Sequence, residues 1–445
     1  MTVSRTICLG FLALIVIGTL LLVLPLSTSS GEWSSLVTAL FTSTSAVCVT
    51  GLIVEDTGTY YSVFGQVVIL LLIQIGGLGY MTANTFLLLL LGRRFGLREK
   101  LAIQKSLDIP GMSGSVILVR SIIALTLAFE VTGVFLMIPV FMEDYGIGYS
   151  LWLSIFHSIS AFNNAGFSLF SDSLMGYATS VPIHIVIPGL IIFGGIGYQV
   201  IMEVYIWLRD RFQGRHERAV FSLNFKIVTS TTLVLLVVST LMFVGVELQH
   251  PNMPVDIIHP GDRLLVAWSE AVMPRTAGFN TVDYGSIPAV DLFITMALML
   301  VGGSPGSTAG GIKTTTLRIL FSSTKAVLQG KEEVLCYQRQ IPVSLILKAV
   351  GVVFGSTTAI LFMTLIIGVS NPNIPFIAIV FETISAFATV GLSTGITASL
   401  SMLGKLVIIC TMYIGRVGIL IVMAALLGDP QPSVVHYPEE NLLVG

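Results

Sequence analysis

Long apolar runs and short apolar segments alternate along this chain in a pattern that occurs four times. The first long run of each repeat covers about 7–26, 116–141, 227–246 and 343–369, and the second covers about 64–91, 185–208, 292–321 and 403–427. Between them lie short segments at 33–44, 151–159, 262–271 and 376–384. Since a helix needs about 20 residues to cross a bilayer, the long runs predict eight spans and the short segments predict re-entrant helices.

The composition supports a membrane environment. Of the 445 residues, 54% are hydrophobic and 10% are charged, against about 25% charged residues in soluble domains. We therefore expect an all-α polytopic membrane protein with four M1–pore helix–M2 repeats. The predicted repeats cover 1–95, 96–215, 216–335 and 336–428, followed by a C-terminal tail at 429–445.

The distribution of charged residues, cysteines and histidines indicates the orientation of the chain and the kind of function it can have. Basic residues are concentrated at 93–105, 209–226 and 318–348. Because loops rich in lysine and arginine stay on the cytoplasmic side, we expect these loops and both termini to be cytoplasmic. The four cysteines have no metal-ligand spacing, and the six histidines lie apart from any nucleophile motif. The sequence therefore favours a transport protein over an enzyme.

A glycine turn follows each short segment. The four turns end at Gly51, Gly166, Gly278 and Gly391, which are 115, 112 and 113 residues apart. Glycine reaches positive φ without steric cost and leaves neighbouring carbonyl oxygens uncovered. Backbone at membrane depth must be bonded within the protein or line a water-filled cavity. Four such turns predict a central pore with pseudo-fourfold symmetry, lined by carbonyl rings that replace the hydration shell of potassium.

The predicted selectivity filter takes three residues from each turn. They are Val49, Thr50, Gly51, Asn164, Ala165, Gly166, Thr276, Ala277, Gly278, Thr389, Val390 and Gly391. None is charged, whereas a site for a small divalent cation would contain converging carboxylates. The predicted ligands are therefore backbone carbonyls that bind K⁺. Glycines that only pack helices are the alternative, which explains one copy better than four at a constant spacing.

The third turn differs from the others. Pro274 and Arg275 stand where the other copies have small or aromatic residues. Arg275 could pair with a carboxylate such as Asp283, or it could tune ion entry at the pore mouth. The sequence leaves both alternatives open.

The second long run of repeat three is interrupted by glycine and proline. The residues concerned are Gly302, Gly303, Ser304, Pro305, Gly306, Ser307, Thr308, Ala309, Gly310, Gly311 and Lys313. A run of this composition cannot remain a regular helix. We expect an intramembrane loop below the filter that acts as a gate; a static kinked helix is the alternative.

Arg416 lies in the second long run of repeat four, at the level of the gate loop. A charge at the bilayer centre costs at least about 2.5 to 3.5 kcal/mol, so it should face a cavity or pair. The favoured interpretation is a pore arginine that weakens cation binding below the filter. The alternatives are pairing with Glu130 or Glu203, or with loop carbonyls.

Together these motifs resemble the Trk/Ktr/HKT superfamily of potassium transporters. The resemblance rests on the four repeats and on residues 163–167, 274–280, 310–315 and 414–416, and it covers essentially the whole chain. Within the superfamily the compact chain is most similar to KtrB-type membrane subunits of bacterial Ktr uptake systems. In plant relatives a serine at the first filter position accompanies sodium preference, so Gly51 implies potassium.

The resemblance also implies partners and a location. It implies a homodimer with one pore per subunit in the lipid bilayer of the bacterial plasma (inner) membrane. A cytoplasmic RCK-type regulatory ring (KtrA-like) would bind ATP/ADP or NAD(H) and gate both pores. Sodium activates some relatives. The chain itself contains no nucleotide site, so no cofactor is expected in it, and no nucleic-acid partner is expected.

The predicted function is therefore channel-like translocation of K⁺ through a gated pore. The alternative is a Na⁺-coupled K⁺ symporter. A coupled carrier predicts inverted repeats and a midplane site with carboxylates or half-helix ends. The four repeats of this chain all run in the same direction, which favours the channel-like mechanism.

Overall fold

The computed structural model of the protein describes residues 3–79, 115–214, 221–249 and 260–428, and most of them are helical. The helices of the first two repeats are α1 Val3–Val23, α2 Leu36–Cys48, α3 Thr57–Tyr60, α4 Val63–Leu78, α5 Ser115–Phe141, α6 Ile147–Phe162, α7 Val181–Ile196 and α8 Tyr198–Phe212. Those of the last two are α9 Leu223–Gln249, α10 Pro260–Val272, α11 Ala289–Leu300, α12 Thr314–Leu328, α13 Val343–Ser370, α14 Phe376–Ala388, α15 Met402–Val417 and α16 Ile419–Leu427.

Four long helices begin the repeats. Helices α1, α5, α9 and α13 contain 21, 27, 27 and 28 residues, and all overlap the predicted first runs. Within the described residues, these four are long and apolar enough to cross a membrane, and two bent helix pairs raise the number of candidate spans to six. The chain is thus a helical, multi-pass membrane protein.

The short helices α2, α6, α10 and α14 correspond to the predicted re-entrant segments. They contain 13, 16, 13 and 13 residues, fewer than a span requires. We call them the pore helices. Helix α2 packs against α1 and α4, and α14 packs against α13 and α15. Each pore helix ends three to six residues before its filter glycine, so the helix packing determines where the glycine turns lie.

The prediction of continuous second helices was wrong for repeats two and four. Helices α7 and α8 meet at an angle of 102°, and α15 and α16 meet at 96°. The bends lie at Gly197 and Gly418, which have φ of 94° and 92°. Only glycine adopts this backbone conformation without strain. In repeat one α4 ends at Leu78 and is followed by Gly79 with φ of 81°, and residues 80–91 of the predicted run lie outside the described residues.

Repeat three has the predicted interruption between α11 and α12. It spans residues 301–313. A two-stranded antiparallel hairpin follows, with β1 Leu335–Cys336 and β2 Arg339–Gln340; the all-α prediction omitted it. The predicted basic loop at 93–105 and the tail at 429–445 lie outside the described residues.

Candidate ion pathway

The four glycine turns share one backbone conformation. The first residue of each predicted triplet has positive φ, at 56° for Val49, 58° for Asn164, 66° for Thr276 and 52° for Thr389. The glycine two residues later also has positive φ in every turn, between 68° and 95°. Non-glycine residues rarely adopt positive φ unless the surrounding structure imposes it. The pore helices and their neighbours therefore hold all four turns in a strained, closely similar geometry.

The turns meet in a closed ring. A Cβ atom placed on any of the four filter glycines would lie within 3.0 Å of a carbonyl oxygen in the next turn. The contacts join Gly51 to Ala165, Gly166 to Ala277, Gly278 to Val390 and Gly391 to Thr50. The structure thus brings the four predicted triplets together around one axis, in the order of the repeats.

The amide groups of the turns are bonded to the pore helices. Thr50, Ala165 and Val390 each donate their backbone N–H at 2.8 Å to the carbonyl of the residue five positions earlier. The hydroxyl of Ser45 accepts the N–H of Gly51 at 3.1 Å, and repeat four repeats this contact between Ser385 and Gly391. Nine of the twelve N–H groups of the predicted triplets are bonded in this way to the pore helices or to the residue directly after one.

The carbonyl oxygens of the turns have no such partners. In the described parts of the chain, none of the twelve carbonyls of the predicted filter triplets accepts a hydrogen bond from another residue. All twelve residues are buried. Buried carbonyls in proteins are almost always bonded to protein or ordered water. Rings of unbonded oxygens with no charged side chain among them are suited to a dehydrated monovalent cation.

Arg275 does not pair with Asp283. Its side chain is 8% exposed, and Nη2 lies 3.5 Å from Thr232 Oγ1 on α9. The Asp283 carboxylate instead accepts the N–H of Gly285 at 2.9 Å in an exposed loop. Arg275 is therefore packed behind the third turn rather than in an ion pair at the mouth.

The interruption of repeat three packs directly against the third and fourth turns. A Cβ atom on Gly302 would contact Thr276 Cγ2 at 3.3 Å, and one on Gly310 would overlap the side chain of Thr389. The base of the loop is closed by hydrogen bonds from Gly302 N to Ile312 O at 3.0 Å and from Thr314 N to Gly303 O at 3.1 Å. We call residues 302–313 the intramembrane loop.

The intramembrane loop is bonded to the bend between α7 and α8. Ser304 N donates to Gly195 O at 3.0 Å, and Tyr198 N donates to Gly306 O at 3.2 Å. Within the loop, Lys313 Nζ donates to Ala309 O at 2.7 Å. The bend and the loop thus form hydrogen bonds with backbone groups that the break in the other helix leaves without an intrahelical partner. The bend of repeat two and the loop of repeat three form one unit.

Arg416 binds loop carbonyls, one of the alternatives considered from the sequence. Its Nη1 donates to Thr308 O in the intramembrane loop, and its Nη2 donates to Gly76 O and, at 3.3 Å, to Gly77 O. The guanidinium therefore connects α15, the intramembrane loop and the end of α4. The two candidate acids have other partners: Glu130 accepts from Gln74 and Asn163, and Glu203 accepts from Ser222.

Comparison with known proteins identifies the family. The model of the family named TrkH, described as cation transport protein, matches residues 4–437. This chain belongs to the TrkH family. That assignment confirms the resemblance inferred from the motifs, and it places the chain among cation transporters rather than in a class of enzymes.

Relatives within the TrkH family are similar over nearly the whole chain. The Ktr system potassium uptake protein B of Bacillus subtilis is 39% identical and covers 100% of this chain and 97% of its own length. The protein of the same name in Vibrio alginolyticus is 37% identical and covers 99% of this chain and 94% of its own length. The potassium/sodium uptake protein NtpJ of Enterococcus hirae is 36% identical and covers 99% of this chain and 97% of its own length.

A solved structure has the same fold. The crystal structure of the potassium transporter TrkH from Vibrio parahaemolyticus matches with a TM-score of 0.72, covering 94% of this chain and 84% of that chain. The sequences are 18% identical, so this likeness concerns the fold alone. The TrkH fold therefore accounts for nearly all of the chain.

Sequence reasoning missed the residues that hold the turns from behind. Ser45, Ser160 and Ser385 each stand six residues before a filter glycine. The first and third accept a glycine N–H, and Ser160 Oγ donates to Phe167 O at 2.7 Å. The recurring Ser-Ala pair in three copies is the signal that could have identified them.

Proposed function

We propose that this chain is the ion-translocating membrane subunit of a potassium uptake system, with channel-like permeation through a filter made by the four glycine turns. The observation that carries the proposal is the ring of buried, unbonded carbonyl oxygens contributed by all four turns. A cation that loses its hydration shell needs oxygen atoms that no other donor occupies. The unbonded carbonyl oxygens of the turns meet this need. Two relatives that match the full chain are named potassium uptake proteins.

The intramembrane loop is proposed as the gate. It contacts three of the four turns and is hydrogen-bonded to a neighbouring bend and to Arg416. It contains five glycines, so its backbone can change conformation at small steric cost. A gate at this position would close the path from the filter toward the side of the basic loops.

A regulatory partner and a homodimer complete the proposal. The relatives' names describe proteins that belong to a system, and this chain has no nucleotide motif of its own. We assign gating to a cytoplasmic RCK-type, nucleotide-binding ring that contacts the loop side of the membrane. The proposed location is the bacterial plasma (inner) membrane, with both termini cytoplasmic.

Complementation tests the proposal. The full chain is expressed in a bacterium without potassium uptake systems of its own, with and without a KtrA-like regulatory subunit, and growth is measured at low K⁺. The proposal predicts growth that exceeds the empty-vector control and that increases with the regulatory subunit. No rescue in any combination, at normal amounts of protein in the membrane, would contradict the potassium assignment.

Na⁺-coupled K⁺ symport is the second candidate. One relative is named a potassium/sodium uptake protein. Symport requires Na⁺ to enter with K⁺ in a constant ratio, whereas activation changes only the K⁺ rate. Parallel measurements of K⁺ and ²²Na⁺ uptake separate them: a constant ratio identifies a symporter, and K⁺ uptake without matching Na⁺ uptake identifies a channel-like pore.

A further inference from the structure

The four pore helices carry a polar side chain at one equivalent, fully buried position. It lies seven residues before the positive-φ residue of the turn in repeats one, two and four, and six before it in repeat three. The residues are Thr42, His157, Glu270 and Glu382, and each is at most 3% exposed. All four form hydrogen bonds with the segment that follows the filter glycine, which we call the outer segment. We call these contacts the outer ties.

Neutral groups form the outer ties of repeats one and two. The hydroxyl of Tyr61 donates to Thr42 Oγ1 at 2.9 Å. The ring of His157 donates from Nδ1 to Leu153 O at 2.8 Å, since a carbonyl can only accept. Its Nε2 then accepts from the hydroxyl of Ser168, at 3.0 Å. Each of these ties has a single contact to the outer segment.

Carboxyl groups form the outer ties of repeats three and four. Glu270 accepts from Thr281 N at 3.1 Å, from Thr281 Oγ1 at 2.7 Å and from the hydroxyl of Tyr284. Glu382 accepts from Ser393 Oγ, which lies 3.1 and 3.0 Å from its two oxygens, and from the hydroxyl of Thr397. Each carboxyl group therefore binds two residues of the outer segment.

Every outer tie spans the turn that it supports. The pore-helix residue lies before the glycine and its partners lie two to ten residues after it, so the tie connects the two ends of the turn. The turn between them exposes carbonyl oxygens that repel one another and have no protein donor. A ring of such oxygens keeps a fixed width only if the ends of each turn are fixed from behind.

We propose that Glu270 and Glu382 are positioning residues of the filter: their ties hold the third and fourth turns at the spacing that suits K⁺ and thereby support discrimination against Na⁺. This inference rests on the proposed function. The carboxyl groups act through the outer segments and do not touch the ion. The intramembrane loop contacts both of these turns, so the carboxyl ties stiffen the filter where the gate lies against it.

Glutamine variants test the two carboxyl groups. Glu270→Gln and Glu382→Gln keep the size of the side chain but turn one acceptor into a donor that faces hydroxyl groups. We expect the K⁺ to Na⁺ uptake ratio to fall by about fivefold or more and KM for K⁺ to rise, with a nearly unchanged maximal rate. Glu203→Gln is the matched control, because Glu203 also accepts an N–H and a hydroxyl, both from Ser222, at 3.0 and 2.6 Å.

Partner variants keep the test decisive if a glutamine variant does not reach the membrane. Ser393→Ala and Thr397→Val remove the donors and leave Glu382 in place. They should reproduce the loss of discrimination, and combining them with Glu382→Gln should add little, because neighbours in one network are not additive. Additive effects, or a ratio and KM within twofold of wild type in all variants, would overturn the inference.

The outcomes separate this inference from the proposed function. Uptake is measured on the full chain in cells that lack their own potassium uptake, with the membrane amount of each variant determined on blots. If the wild-type chain takes up no K⁺, the proposed function fails. If wild type and every tie variant take up K⁺ with the same selectivity, the proposed function stands and the role of Glu270 and Glu382 fails.

Discussion

At the scale of single residues, the four filter glycines have two separate requirements. Each has positive φ, and each faces a carbonyl oxygen of the next turn at a distance that excludes a Cβ atom. The first requirement alone is common in turns, where asparagine sometimes meets it. The second is specific to the ring, because any side chain would push a neighbouring carbonyl away from the axis.

Replacing Gly51 with serine should therefore impair selectivity rather than merely stability. The new Cβ atom would overlap Ala165 O and lie 3.0 Å from Gly166 Cα, so the first and second turns would move apart. We expect the K⁺ to Na⁺ uptake ratio to fall roughly tenfold, which corresponds to about 1.4 kcal/mol. Uptake of both ions over a range of concentrations measures this.

Gly31→Ser is the control for backbone strain. Gly31 has φ of 74°, similar to the filter glycines, but a Cβ atom there would have nothing within 4 Å. The control should lower stability slightly and leave selectivity unchanged. If Gly51→Ser kept the wild-type ratio, Gly51 would not belong to the filter.

At the scale of elements, the intramembrane loop, the α7–α8 bend and the end of α4 are connected by backbone hydrogen bonds and by Arg416. The guanidinium supplies donors to two of these elements at once. Hydrogen bonds from a charged group contribute about 1.5 to 3 kcal/mol each. The bridge therefore favours the conformation in which the loop lies against the filter.

Substitution of Arg416 should release the loop. Arg416→Ala removes the bridge, and Arg416→Lys keeps the charge but cannot present the planar fork that reaches both acceptors. We expect maximal K⁺ uptake to rise about fivefold or more in Arg416→Ala and by less in Arg416→Lys. Arg209→Ala is the control, because Arg209 is an exposed residue paired with its neighbour Asp210 at 3.0 Å. Unchanged velocity and affinity in Arg416→Ala would contradict the bridge as a gate element.

The bend between α7 and α8 could not be predicted from the sequence of these helices alone. Gly194, Gly195 and Gly197 stand in an apolar run that could equally continue as a helix, because a glycine inside a helix costs only about 1 kcal/mol. Breaking the helix frees backbone groups, which would be costly in a membrane. The intramembrane loop supplies partners for them. The bend of repeat two thus depends on residues of repeat three, more than 100 positions away.

At the scale of the whole molecule, the repeat pattern predicted the long first helices and the pore helices within a few residues. Hydrophobic length and glycine spacing are visible in the sequence itself, so they needed no knowledge of the tertiary contacts. The outer ties could not be predicted in this way, since Thr42, His157, Glu270 and Glu382 are of three different residue types and form no recognisable motif. Their equivalence is visible only when the positive-φ residues place the four turns in register.

The ring also explains why four unlike turns can act together. Each turn contributes carbonyls and a glycine that fits the next turn, while the asymmetric parts lie around it: carboxyl ties in two repeats, and one loop and one arginine below. We propose that the common part selects the ion, that the carboxyl ties hold two of its turns at the required spacing, and that the loop and the arginine control the passage of the ion.

Locating a heavy K⁺ analogue tests the central claim most directly. The full-length protein is crystallised in Rb⁺ or Tl⁺, and anomalous scattering shows where the ion binds. We expect peaks on the axis of the ring, within ligand distance of the carbonyl oxygens of Thr50, Ala165, Ala277 and Val390, and weaker peaks in Gly51→Ser. Well-occupied ion sites elsewhere in the membrane, with none at the ring, would contradict it.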